Sequence, residues 1–221
     1  MNALRLRYVE GVNPSRWLAV WRERHPESPA EHERVDQASQ FDAVLAGDAD
    51  VAIVRGEVTD ARLHRVRLFD ERAVAVAAKD HALAAFDEVT LADLEGETML
   101  DISALSQEDA VAVAASGAGI AVLPMSSARL HGGPASIARP ITDAPVWPVS
   151  LVWLRAADSE MIQDFVGVAR GRKATSSRGE APAEPEEPKR QRPSAARPAA
   201  KSRPRPAHRI VPKPRPKRRG R

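Results

Sequence analysis

Leu45-Ala-Gly-Asp-Ala-Asp-Val-Ala-Ile-Val-Arg-Gly56 is the stretch whose reading decides the fold. Its apolar run Val51–Val54, bounded by Gly47 and Gly56, predicts a buried parallel strand rather than a half-wet alternating one. Just upstream, Ser39 to Ala46 predicts a short helix, and His32–Asp36 a polar strand. Before those, a helix is expected from Pro14 to about His25, with Asn13 as N-cap and Pro14 in the first helical position. Trp17, Leu18, Val20 and Trp21 make its apolar stripe, Arg16, Arg22, Glu23 and Arg24 stay wet, and His25-Pro26 ends it. Leu4, Leu6, Tyr8 and Val9 form the opening strand, and Gly11-Val-Asn-Pro14 the turn after it. The succession β-α-β-α-β favours an open, mostly parallel sheet with right-handed crossovers.

Downstream, strands are expected at Leu63–Leu68 and Ala73–Ala77, followed by the turn Lys79-Asp-His81 and a short helix at Leu91–Leu94 capped by Thr90. Thr98–Leu100 reads as a further strand. Ser106–Ser116 is an Ala/Val-rich helix capped by Ser106, boxed to Asp109 and closed by Gly117, and the strand Ile120–Leu123 follows. Pro148–Leu154 supplies a last strand, and Asp158–Val168 a helix with Met161, Ile162, Phe165 and Val166 inward. Beyond Gly171 the apolar pattern ends.

Charge divides the chain at the same place. Up to Ala169 there are 15 Lys and Arg against 26 Asp and Glu, a net charge of −11, whereas residues 170–221 carry 18 against 4, or +14. From Pro188 to Arg221 there are fourteen Lys or Arg and no acid. A basic segment of this kind seeks polyanions, and the acidic body does not. The absence of Cys excludes disulfides and thiolate chemistry and suits a reducing cytosol. The start lacks the apolar core of a signal peptide, and no apolar run approaches a membrane span of about 18 residues. The expectation is a cytoplasmic protein, with nucleoid association open to it, and no membrane partner.

Little points to catalysis. His25, His32, His64, His81, His131 and His208 show no metal-ligand spacing, so no metal or cofactor is expected. No phosphate loop, Gly-x-Ser-x-Gly elbow or dinucleotide fingerprint is present. Gly117-Ala-Gly119 is explained by helix capping, His81 by capping a turn, and Asp48 and Asp50 by a solvated turn.

Four landmarks, in order, carry a resemblance. They are Leu4-Arg-Leu-Arg-Tyr-Val9 with the helix start Asn13-Pro-Ser15; Leu45 to Ile53; Leu63…Leu68…Glu71…Val76…His81-Ala-Leu-Ala84; and Ala115-Ser-Gly-Ala-Gly-Ile-Ala-Val-Leu-Pro124. Together, across residues 4 to about 170, they resemble the effector-binding domain of LysR-type transcriptional regulators. The resemblance implies an α/β, two-lobed, periplasmic-binding-protein-like (type 2) domain over residues 1–170. Lobe I is expected at about 1–76 and 148–170, lobe II at about 77–147, and a small molecule in the cleft between them. Helix N-termini beyond the carboxyl ends of strands favour anions, so a carboxylate-bearing effector is expected. The candidates to bind it are Asn13, Ser15 and Arg16 at the first helix, Arg55 at the end of the Val51–Val54 strand, and Ser103. The same residues also have a plain reading, in which Ser15 lines a helix start and Arg55 makes an ordinary surface ion pair.

Two departures matter. Family members usually begin with a winged helix-turn-helix and linker helix, whereas here Met1 stands directly on the first strand, so that DNA reader is expected to be missing. Only Asp101–Leu105 separates the Thr98–Leu100 segment from the next helix, so a trimmed second lobe is expected, which puts the family's side-by-side homodimer in doubt.

Ten of the 18 prolines lie between Pro182 and Pro216, among Arg, Lys, Ala and Ser. Such a segment buries too little surface to offset its ordering entropy, so residues 171–221 are expected to form a disordered basic tail. Arg203-Pro-Arg-Pro206 and Pro214-Arg-Pro-Lys-Arg-Arg-Gly-Arg221 resemble AT-hook peptides in part, with Pro204 where a hook has Gly. Arg203, Arg205, Arg209, Lys213, Arg215, Lys217, Arg218, Arg219 and Arg221 are the candidate contacts to DNA or RNA. The leading reading is a non-enzymatic, small-molecule-sensing regulator. The alternatives are a degenerate domain serving as an architectural nucleic-acid binder, and a cytosolic solute-binding protein.

Overall fold

The computed structural model describes residues 3–171. The apolar run that opened the sequence reading is β3 (Val51–Arg55), and all five of its residues are buried. It runs parallel to β1 (Leu4–Val9), which runs parallel to β2 (Ala30–Val35). Helix α1 (Ser15–Arg24) links β1 to β2, and α2 (Asp42–Ala46) leads into β3. Two antiparallel strands complete this sheet, β4 (Leu63–Glu71) and β8 (Trp147–Leu154), giving the order β2-β1-β3-β8-β4.

The full burial of β3 follows from its period of two. Val51 and Ile53 face one side, where Leu6, Trp21, Leu151 and Phe165 meet them; Ala52 and Val54 face the other, against Val44, Leu63 and Val152. The first side is covered by α1 and by the last helix, α5 (Glu160–Ala169), with Phe165 edge-on to Trp21 at 5.6 Å. Ser159 caps α5 by accepting from the Ile162 N–H.

The second lobe has its own three-stranded antiparallel sheet, β6 (Ala121–Pro124), β5 (Ala73–Ala78) and β7 (Ser136–Pro140), with β5 in the centre. The alternation Ala73-Val-Ala-Val-Ala77 again serves two faces. The alanines pack with Leu83, Leu94 and Ile120, and the valines with Ala110, Val111 and Ala114 of α3 (Gln107–Ala115). α4 (Met125–His131) follows β6 directly. At Gly119, φ is +157° and a Cβ would come within 2.5 Å of the Thr98 carbonyl oxygen, so only glycine fits.

The two-lobed α/β architecture expected from the sequence is the one observed, with the lobes joined at Arg72 and through residues 141–146. The lobe boundary expected near residue 76 moves to Arg72, because Ala73–Ala78 hydrogen-bonds to β6 and β7 in the second sheet. The helix expected from Ser39 shortens to Asp42–Ala46, because residues 38–41 form a turn in which the Asp42 N–H donates to the Ser39 carbonyl. Thr98–Leu100 contributes a single bridge, Met99 to Ile120, rather than a strand. Asp50 is not merely solvated: it accepts from the Arg5 backbone N–H at 2.7 Å and pairs with its guanidinium at 2.8 Å. Helix α4 and strand β7 went unread, because Met125–His131 has no apolar periodicity and β7 is a half-buried edge. The proposed tail, residues 172–221, lies outside the described residues.

Phe165 is fully buried where α5, α1 and the sheet meet. Phe165→Ala is expected to lower the unfolding free energy by about 3–5 kcal/mol, read as a reduced urea midpoint at unchanged slope.

Candidate functional site

The sheet order reverses direction between β1 and β3, and in open parallel sheets the crevice beyond the carboxyl ends of such strands is where ligands sit. In this protein that crevice is filled from within. Arg55, the last residue of β3, is 1% exposed. Its Nε donates to Glu71 Oε2 at 2.8 Å and its Nη1 to Gln37 Oε1 at 2.9 Å. Its Nη2 donates to the Glu10 carbonyl at 2.9 Å and to Ser126 Oγ at 2.8 Å. The backbone of Arg55 is gripped in turn by Gln40, whose Oε1 accepts its N–H at 2.7 Å and whose Nε2 donates to its carbonyl at 3.0 Å.

A guanidinium tolerates such burial only when it is paired and its N–H groups are satisfied. Glu71 supplies the charge and also reaches the other lobe, since its second oxygen accepts the Ser126 N–H at 2.7 Å. Ser126 stands in the first turn of α4, so Arg55, Glu71 and Ser126 fasten the start of that helix to the first lobe. Its far end is fastened as well: His131 Nε2 lies 3.1 Å from Glu10 Oε2, with both side chains largely buried. At the first of these fastenings the two chain segments approach closely. Gly11 has φ +82°, and a Cβ there would come within 2.4 Å of Ser126 Oγ.

The sequence-predicted residues fare unequally. Arg55 is not on the rim: a carboxylate could reach it only by displacing Glu71, Gln37 or Ser126, so its role as an effector ligand is withdrawn. The ion pair it makes is buried rather than superficial. Asn13 and Ser15 are exposed at the start of α1, where the Asn13 Oδ1 accepts the Ser15 N–H at 3.0 Å. The N-cap position itself falls on Pro14, one residue later than expected. Arg16 lines a groove between α1 and α5. Ser103 is exposed on the turn before α3, donating its N–H to Asp101 Oδ1 at 3.0 Å. Hydrogen bonds from Ser103 hold the Asp101 carboxyl below the usual carboxylate range, so Ser103 offers a hydroxyl beside a negative charge. Among the described residues no hydrogen bond joins Ser103 to Asn13 or Ser15. Arg203, Arg205, Arg209, Lys213, Arg215, Lys217, Arg218, Arg219 and Arg221 lie outside the described residues.

Glu10, Gln37, Gln40, Ser126 and His131 were not anticipated. Glu71 was noted only as a landmark. The partners are 71 residues apart for Arg55 and Ser126 and 121 for Glu10 and His131, so no local spacing could have revealed them.

Comparison with known proteins places this geometry. Residues 13–107 match the model of the LysR substrate binding domain. The folded domain thus resembles the LysR substrate binding domain over those residues. The chain is similar to the Hca operon transcriptional activator HcaR of Escherichia coli (strain K12), at 24% identity over 72% of this chain and 62% of that protein. It therefore spans less than two thirds of that relative. Among solved structures, the BenM effector binding domain with its effector benzoate superposes with a TM-score of 0.61 at 18% identity, covering 77% of this chain and 91% of the other. The reduced form of the OxyR regulatory domain from Pseudomonas aeruginosa gives 0.59 at 19% identity, covering 76% and 95%. Among the described residues no group of three or more His, Cys, Asp or Glu is arranged to hold a metal ion, and no described helix is long and apolar enough to cross a membrane.

Removing the guanidinium of Arg55 strands the buried Glu71 carboxylate. Arg55→Leu is expected to cost about 3–5 kcal/mol of stability. Ser126→Ala, which removes one hydrogen bond to a charged group, is expected to cost about 1.5–3 kcal/mol. Urea unfolding of the two variants checks the order.

Proposed function

We propose that this protein is a non-enzymatic regulator that senses a small carboxylate-bearing molecule between the lobes of its LysR-type domain and contacts DNA or RNA through its basic C-terminal segment. The observation that carries the sensing half is the pair of lobes joined by two crossing segments and fastened through α4, so that a ligand altering their spacing acts directly on the Arg55–Glu71–Ser126 network. Asn13 and Ser15, on the rim beside the switch-point crevice, and Ser103 on the second lobe are the residues offered to the effector. The similar BenM domain was solved with benzoate, a carboxylate, and HcaR is a transcriptional activator, which supports the same direction for this chain. The nucleic-acid half rests on composition, +14 over residues 170–221. A cytoplasmic location and a homodimer fit this reading.

One observation favours a second reading. The crevice at the switch point is closed by the protein's own Arg55 and Glu71, as in a domain that has ceased to bind ligand and serves nucleic-acid binding alone.

Thermal unfolding with benzoate and related carboxylates separates the two. A sensor is expected to gain stability, about 2.7 kcal/mol at a ligand concentration 100 times Kd, and Ser15→Ala to reduce the gain; no shift with any carboxylate favours the second reading. For the tail, DNA affinity of the full chain is expected to fall roughly 10³- to 10⁵-fold between 50 and 200 mM salt if about 6 to 10 cations meet phosphates. A chain ending at Gly171 is expected to lose most of that salt dependence; undiminished binding by it would overturn the tail's role.

A further inference from the structure

Nucleic acid as a partner raises the question of what the folded domain itself presents to a polyanion, because residues up to 169 carry a net charge of −11 and as a whole repel one. One surface departs from that charge. Between α1 and α5 lies a groove of about 450 Å³ lined by Arg16, Trp17, Val20, Arg24, Val168 and Arg170, with no carboxylate among its lining residues. Positions 16, 20 and 24 share one face of α1, since residues four apart stack along a helix. A second groove, of about 480 Å³ beside Trp21 and His25, has the opposite character and is lined by Glu160 and Asp164.

Ion pairing of arginines in the folded domain is uneven. Arg5, Arg7, Arg55, Arg62, Arg65 and Arg67 each pair with a carboxylate. Arg16 and Arg170 are exposed and, like Arg22, Arg34 and Arg129, make no ion pair with another described residue; what distinguishes them is that they line one groove together. Arg24 has an interaction of its own. A guanidinium fork matches phosphate geometry, and Trp17, which lines the same groove, adds a flat apolar indole. The groove ends at Gly171, and the sequence continues into Arg172 and Lys173.

We infer that the α1/α5 groove binds the phosphodiester backbone of nucleic acid, with Arg16 and Arg170 each holding a phosphate and Trp17 against a base or sugar. This site rests on the reading that nucleic acid is the partner, and it extends the contact from the basic segment onto the folded domain.

The test is fluorescence anisotropy of the full chain on a labelled A·T-rich duplex and its single strand, from 50 to 200 mM salt, comparing wild type with R16E/R170E and R16K/R170K. Both positions are exposed, so the variants are expected to fold. Loss of two phosphate contacts should lower the slope of log affinity against log salt by about 2 for the duplex, with the lysine variant keeping most of it. Binding that persists with an unchanged slope in R16E/R170E overturns the groove site while leaving the basic segment's role intact. No binding by any variant at 50 mM overturns both. If the slope is unchanged but R16E/R170E alters the sedimentation of the free protein, the groove is a face for a second copy, and the phosphate site falls.

Discussion

The Arg55–Glu71 ion pair is the constraint on which the arrangement of the two lobes depends. It is buried at the carboxyl end of β3, where the chain has just crossed the first sheet and where α4 of the second lobe comes down. A charge in that position is tolerated only if every strong donor and acceptor around it is satisfied. The satisfaction comes from four separate segments: the end of β1 through the Glu10 carbonyl, the segment before α2 through Gln37 and Gln40, the end of β4 through Glu71, and α4 through Ser126. Because those segments belong to both lobes, the network specifies their relative placement more sharply than apolar contact could, since hydrogen bonds demand both direction and distance.

The same chemistry bears on function. In many α/β proteins the crevice beyond the switch-point strands is left open for a ligand. Here it holds the joint. Any small molecule sensed between the lobes therefore meets a floor that is already polar and already paired. The His131–Glu10 contact at the other end of α4 adds a second point of fastening.

Charge distributes the remaining roles. The domain's acidity is relieved at the α1/α5 groove, and the sequence beyond Gly171 reverses it. Such polarity is a property of surface and partners, and it leaves the fold untouched.

Much of the fold was legible along the chain, because helices and strands with a buried side carry their own periodicity. Val51–Val54, the Trp17–Trp21 stripe, the Ala-Val alternation of β5 and the Ser106 cap each declared an element locally. Elements without such periodicity, α4 and β7, stayed silent, and the lobe boundary at Arg72 was visible only once strand pairing was known. The site was less legible. Sequence by itself determined the parallel β1-β2-β3 start, the two-lobed resemblance and the charge asymmetry, since these follow from local pattern and composition; the expected mostly parallel sheet does not hold beyond β3, where β4, β8 and the second sheet pair antiparallel. Only the tertiary structure decided that Arg55 lies inside the joint, that Glu71 and Ser126 meet it there, and that Gly11 must be glycine to let the lobes touch. Those contacts link residues many tens of positions apart, and a buried ion pair is written in no local pattern, because what makes it stable is the set of distant groups that surround it.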